Sequence, residues 1–270
     1  LIEYVLSKSD NSKSDNFFKL RTFLSSFIGC LCIVACGIVP AFILPTESNV
    51  FRQTEAGQRK LNLLLSFAVG SLLGDVFLHL LPEAWADSKA DKFATGIWIL
   101  IGLLSCFIIE KCCTTTEDSQ RKACAIVNLI ANFIDNFTHG LAVGGSFVIS
   151  HKLGILTTFA IIIHELPHEI SDFAILLRGN FGKWTAIKAQ LVTATGGIFG
   201  ASVALFFHVG SGMDGIVQHI LPFTAGGFLN IALAQILPEL LQESNPKESM
   251  LQLLLLFGGV AVMGVLGQFC

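Results

Sequence analysis

Eight apolar stretches, each near the length that crosses a bilayer, occupy most of this 270-residue chain. A helix needs about 20 predominantly apolar residues to span the hydrocarbon core. The stretches fall near residues 24–44, 62–82, 94–112, 123–149, 154–178, 184–208, 216–239 and 249–268. The first, third and eighth are almost purely apolar, whereas the middle ones carry ionisable groups. Charged residues make up 14% of the chain, against about 25% in an ordinary soluble domain. That is too few to cover a soluble surface. An apolar content of 53% excludes disorder. A net charge of −3 without a basic stripe argues against nucleic-acid binding. The expected fold is an all-α membrane protein with eight transmembrane helices. Residues 24–268 form a single transmembrane domain, and residues 1–23 form a flexible polar arm.

The connections are short and polar, and all 17 Lys and Arg residues are expected in them. Cytosolic loops carry an excess of Lys and Arg. Eight spans put both termini on one side. That side collects seven basic residues against ten on the other, or three against ten when the arm is left out. Loops 45–61, 110–123, 179–183 and 241–248 are therefore expected in the cytosol, with both termini facing the lumen or exterior. Span two ends in FLHLLPEAW and span seven in LAQILPELL, so Pro82-Glu83 and Pro238-Glu239 are matched. Spans four and five share polar residues at i, i+1 and i+4: Asp135, Asn136, His139 and His164, Glu165, His168. Matching segments around a central pair suggest a 3+2+3 inverted repeat, a transporter architecture with its site near the midplane. The eight cysteines include no CxxC pair, which disfavours a structural zinc knot.

Ionisable side chains inside a bilayer cost roughly 2.5–3.5 kcal/mol each to insert. Span four carries Asp135, Asn136 and His139, and span five carries His164, Glu165, His168, Glu169 and Asp172. Each set lies on one helical face, in arcs of about 100° and 140° at 3.6 residues per turn. Two such faces meeting make a pocket of imidazole nitrogens and carboxylate oxygens. That donor mix suits Zn²⁺, Fe²⁺, Mn²⁺ or Co²⁺ and is too nitrogen-rich for Ca²⁺ or Mg²⁺. Burying three histidines and four acids without a cation is hard to balance. Asp75 and His79 lie one turn apart on span two, Gln190 begins span six, and Asn230 and Gln235 sit in span seven. These are candidate pathway-lining or supporting groups. Gly140, Gly144, Gly145, Gly196, Gly197, Gly226 and Gly227 are small-residue positions that permit close helix packing.

An enzymatic alternative exists. HELPH at 164–168 matches H-E-x-x-H, in which two histidines bind zinc and the glutamate is the general base. An intramembrane metalloprotease would need a further Asp ligand, for which Met213-Asp214-Gly215 is the candidate. Pro167 inside the motif is expected to disturb the helical register of the two histidines. Asp214 lies in a loop, while span four offers the richer ligand set. A metal-binding receptor without flux is a third alternative.

DNFTHGLAVGGSF at 135–147, HELPHEISDFAILLR at 164–178 and LPFTAGGFLNIALAQILPEL at 221–240 resemble the ZIP (Zrt/Irt-like) metal transporters. The HExPHE run is similar to the LIV-type (LZT) subfamily. Asp135 with His139 on span four, together with FLHLLPEAWA at 77–86, looks most like its ZIP-thirteen type. The resemblance covers about residues 24–268. It implies eight spans in a three-two-three arrangement, a homodimer, and divalent metal moving toward the cytosol. It implies one metal site from Asp135, His139, His164 and His168. Asn136, Glu165 and Glu169 would supply a neighbouring site, with Gln190 of span six. Many relatives have bridging carboxylates where His139 and His168 stand, which puts a two-metal centre in doubt. The loop 111–122 lacks the His-rich segment that subfamily members often carry.

The expected function is alternating-access transport of zinc, with iron as the other candidate, out of a secretory compartment or the exterior into the cytosol. Asp75, His79 and Asp172 would line the pathway. The expected location is a multi-pass protein of the endoplasmic reticulum, Golgi or vesicle membrane, with no cofactor besides the transported ion. Protonation of His139, His164 and His168 would assist release, because metal-bound histidine must be neutral.

Overall fold

The computed structural model describes residues 20–43, 54–86, 91–113, 116–206 and 214–267. Most of the polar arm, the cysteine pair 112–113 in its side chains, and His208 lie outside the described residues. The described residues are helical and contain no strand. This follows from the solvent, since backbone polar groups in lipid must be satisfied within the segment.

Eight helices can be numbered in chain order. They are α1 (Leu20–Cys36), α2 (Glu55–Ala86), α3 (Lys92–Cys113), α4 (Glu117–Ile149), α5 (His151–Arg178), α6 (Lys183–Phe206), α7 (214–240) and α8 (Pro246–Leu266). A short helical segment, Val39–Ile43, follows α1. The eight helices coincide with the eight apolar stretches. Six of them are long and apolar enough to cross a membrane by themselves. The other two are α1, apolar but shorter, and α4. With 33 residues, α4 is long enough to cross, but it carries a polar face turned inward. It also starts earlier than expected, because Thr116 and Ser119 form a reciprocal capping box ahead of the apolar run.

Close helix pairs frame the molecule: α2 against α8, α3 against α7, and α4 against α6, with α5 packed on α4 and α2. Small residues set these approaches, as expected where lipid supplies no hydrophobic drive between helices. A Cβ on Gly140 would run into the backbone carbonyl of Gly197, and one on Gly226 into that of Ile99. Gly144 faces Ala201 and Ala204, and Gly196 faces Phe133. Gly145 has nothing within 4 Å, and Gly227 meets only Cys106 Sγ at 3.6 Å, so these two are not close-packing positions. Gly70, Gly74 and Gly259, which the sequence did not single out, hold the α2–α8 contact. Leu65, Leu72, Phe173, Phe228, Ile231 and Ile236 form the main core between α2, α5 and α7. Large apolar side chains such as Phe107, Phe199 and Phe257 point outward to where lipid would lie.

Helices α2 and α7 share a local irregularity. Each contains a π-helical stretch, Val76–Leu80 and Asn230–Ile236, immediately before Leu-Pro-Glu. Leu81 N–H donates to Val76 O, and Leu237 N–H to Ala232 O, five residues back in both cases. Pro82 and Pro238 follow the two stretches, and proline offers no N–H to the helical ladder. Such π-bulges concentrate at functional sites.

Candidate metal centre

Three helices converge on one buried cluster. The α2 π-stretch begins just after Asp75 and contains His79. Asp135 and His139 share one face of α4, and His164, Glu165 and His168 share one face of α5. All of these are buried except His79, which is partly exposed. The Asp75 carboxylate sits at the centre. Its Oδ1 lies 3.1 Å from His164 Nε2 and 3.1 Å from His79 Nδ1, and its Oδ2 lies 3.3 Å from His168 Nε2. On the α4 side, His139 Nδ1 lies 2.6 Å from Glu165 Oε1 and 3.7 Å from Asp135 Oδ2. The His79 and His164 rings are 4.5 Å apart, and those of His139 and His164 5.6 Å.

Several of these close atoms are not aligned for hydrogen bonds with each other. Asp75 Oδ2, His164 Nε2, His168 Nε2, His139 Nδ1 and Glu165 Oε1 are buried and lack a hydrogen-bond partner. Leaving such groups unpaired costs about 1–3 kcal/mol each. Their lone pairs share a common space, as ligands around a cation do. Zinc bonds of about 2.0–2.1 Å to nitrogen and oxygen place tetrahedral ligand atoms roughly 3.3 Å apart, near the Asp75–histidine spacings. Three sets of ligand atoms fall within 4.8 Å of one another: Asp75, His164, His168; His79, His139, His164; and Asp135, His139, Glu165. His139 and His164 each belong to two sets, so the cluster is continuous.

Glu165 stands with Asp135 and His139 in one set of close ligand atoms. Asp75 lies in the middle of the cluster, where the sequence suggested only pathway lining. Glu169 is held by Gln190, whose Nε2 donates to Glu169 Oε2 at 2.6 Å and to its backbone carbonyl at 2.8 Å. Asn136 Nδ2 donates to Asn132 Oδ1 at 2.5 Å. Asn136 Oδ1 and Gln190 Oε1 remain buried without partners. Asp172 accepts hydrogen bonds from Asn128 Nδ2, at 2.9 Å, and from Asn132 Nδ2. Asn230 donates to Leu103 O at 3.5 Å, a helix-to-helix contact. His219 stacks edge-on against Trp98, 5.1 Å away.

Two sequence expectations need correction. Pro167 does not break the register of HELPH, because α5 runs unbroken and both His164 and His168 reach Asp75. The case against a protease therefore rests on the ligand set. Arg178 does not sit in a solvent-exposed connection: it closes α5 at only 7% exposure. Its Nε donates to Glu239 Oε2 at 2.6 Å and its Nη2 to Gln235 O at 2.7 Å. Arg121 Nη2 lies 2.8 Å from the other Glu239 oxygen. Sequence reading missed this triad because each member sits at a helix end, where charge is ordinary. The Pro-Glu repeat was the available signal.

A cavity of about 720 Å³ reaches the cluster from one end of the bundle. His79, Glu83, Thr138, His139, Leu156 and Ile161 are among its walls.

A family model described as ZIP Zinc transporter matches residues 20–119 and 112–267. The chain is 44% identical over 278 residues to zinc transporter ZIP13 of Pongo abelii, covering 96% of this chain and 85% of that protein. It is 42% identical to zinc transporter ZIP13 of Danio rerio, covering 92% and 87%. It is 40% identical to the zinc transporter ZIP13 homolog of Drosophila melanogaster, covering 92% and 90%. With a family model spanning nearly the whole helical region and relatives matched almost end to end, this chain belongs to the ZIP zinc transporter family.

Proposed function

We propose that the chain is a transmembrane transporter of divalent metal, with Zn²⁺ as its substrate, and not an enzyme. The observation that carries the proposal is the Asp75 carboxylate between His164 and His168, with unspent ligand atoms in the middle of a membrane bundle. Asp135, His139, Glu165 and His79 extend that set, so an ion can be passed between overlapping groups of three without leaving its ligands. Asn136, Glu169 and Gln190 are proposed as a neighbouring station, supported by the unpaired oxygens of Asn136 and Gln190. Asp172 lies beyond them, held by Asn128 and Asn132.

The proposed mechanism is alternating access. The ion enters by the cavity at His79 and Glu83, and leaves at the opposite end of the bundle. Loop charge makes the exit cytosolic. The shared π-stretch and Leu-Pro-Glu of α2 and α7 support the 3+2+3 inverted repeat. A homodimer in an endoplasmic reticulum, Golgi or vesicle membrane, and iron as a second substrate, are part of the proposal on the strength of resemblance alone. Protons compete with metal for the same imidazole nitrogens, so protonation of His139, His164 and His168 assists release of the ion.

The test is flux in proteoliposomes with a metal-sensitive dye inside and Zn²⁺ or Fe²⁺ added outside. Wild type is expected to carry Zn²⁺, and His164→Ala with His168→Ala to abolish it. Folded, metal-loaded protein without flux would favour a receptor. Metal-dependent peptide cleavage lost in Glu165→Gln would favour a protease.

A further inference from the structure

Building on the transport function proposed above, we infer that Arg121, Glu239 and Arg178 form the closed inner gate of the carrier, and that Glu83 marks its open outer counterpart.

The two Leu-Pro-Glu segments lie at opposite ends of the bundle. Helices α2 and α7 run antiparallel: the first part of α7 packs on Leu81–Ala86, and its last turn packs on the Glu55–Asp75 part of α2. The same three residues after the same π-stretch therefore mark both mouths, and the mouths differ. At the α2 end, the Glu83 side chain is 53% exposed and approaches only as near as 3.5 Å to His79 Nε2. The 720 Å³ cavity opens there, directly onto His79 and His139. At the α7 end, Glu239 is gripped through both oxygens by Arg121 from α4 and Arg178 from α5. Arg178 also holds the Gln235 carbonyl within the π-stretch. Three helices are thus tied at one point.

This end is the one a departing ion must cross. Asn136, Asn132 and Asn128 follow each other at four-residue spacing down α4, one face of the helix. Asn132 and Asn128 bond Asp172 of α5. Arg121 lies about two turns beyond Asn128. The polar line thus leads from the metal cluster to the triad. Two guanidiniums against one carboxylate leave a net positive charge, which repels a divalent cation while the triad is closed. Arg178 Nη1 is buried without a partner. The contacts to Glu239 and Gln235 hold the closed state, and the unsatisfied donor of Arg178 offsets part of what they contribute. Opening requires Arg121 and Arg178 to leave Glu239 and Arg178 to leave Gln235, which frees α4 and α5 to move against α7.

The native Cys124 reports on this directly. It is buried, lies three residues past Arg121 and one turn before Asn128, and so belongs to the face under the triad. Wild type, Glu239→Gln and Arg121→Gln are reconstituted in nanodiscs and treated with a charged maleimide. Modification at Cys124 is followed by peptide mass spectrometry, with denatured protein as the full-labelling reference. Glu239→Gln is expected to speed Cys124 labelling roughly tenfold, the response of a two-state equilibrium that loses a strong bias. Arg121→Gln is expected to act in the same direction by less. A near-wild-type thermal midpoint certifies each variant as folded. If Glu239→Gln fails that check, Arg121→Gln, altered at a partly exposed side chain, decides. Cys124 labelling unchanged in the folded variants overturns the gate. Labelling needs no flux, so a wild type that never carries zinc sinks the transport function without prejudging the triad.

Discussion

Asp75 of α2 and His164 of α5 meet at 3.1 Å, both buried, in the middle of the bundle. This contact makes α2 part of the metal centre. Removing the carboxylate by Asp75→Ala is expected to weaken zinc binding at least as much as loss of a supporting ligand, roughly 10–100-fold. Isothermal titration of the purified protein measures it. His79→Ala, at the rim of the same cluster, is expected to lose less.

Metal binding to imidazoles displaces protons, so zinc affinity must fall as pH falls. With three or more histidines in the cluster, the zinc Kd is expected to rise roughly tenfold or more between about pH 7.5 and pH 5.5. Competition titration with a chelator of known affinity at each pH checks this. An unchanged Kd would remove the histidines from the ligand set.

Asp172 is the shared acceptor for two asparagine amides. Asp172→Ala strands both donors in the interior, at a cost of about 1–3 kcal/mol. The thermal midpoint in detergent is expected to drop. Asp172→Asn keeps an acceptor oxygen and is expected to drop less while slowing zinc flux.

Gly140 and Gly145 separate packing from mere smallness. A side chain at Gly140 collides with the Gly197 backbone, whereas Gly145 faces open space. Gly140→Leu is expected to destabilise by about 1–3 kcal/mol or more, following overpacking, and Gly145→Ala to be nearly neutral. Thermal unfolding of the two variants side by side measures the contrast.

The spans were legible because apolar length is a direct requirement of the bilayer, and the ligands on α4 and α5 because charge there is costly. His139, His164 and His168 stand out against apolar neighbours for that reason. Asp75 was visible but not its place, since no local pattern tells which helix faces which. Its position depends on the π-stretch that follows it and on α2 packing across α5. The Arg121–Glu239–Arg178 triad was hidden for a related reason. Arginines at helix ends look like ordinary cytosolic loop charge, and only tertiary packing brings Arg178 into the interior. The π-stretches precede Pro82 and Pro238, which the sequence displays as a repeat, but Pro167 lies in regular α-helix, so a proline by itself does not reveal the backbone shift.

The most direct test of the metal centre is zinc K-edge X-ray absorption on zinc-loaded protein, compared with Asp75→Ala. The expected wild-type spectrum shows imidazole nitrogen and carboxylate oxygen at about 2.0–2.2 Å, with one oxygen scatterer lost in the variant. Sulfur at about 2.3 Å, or an identical spectrum in Asp75→Ala, would contradict a centre built from Asp75, His164 and His168.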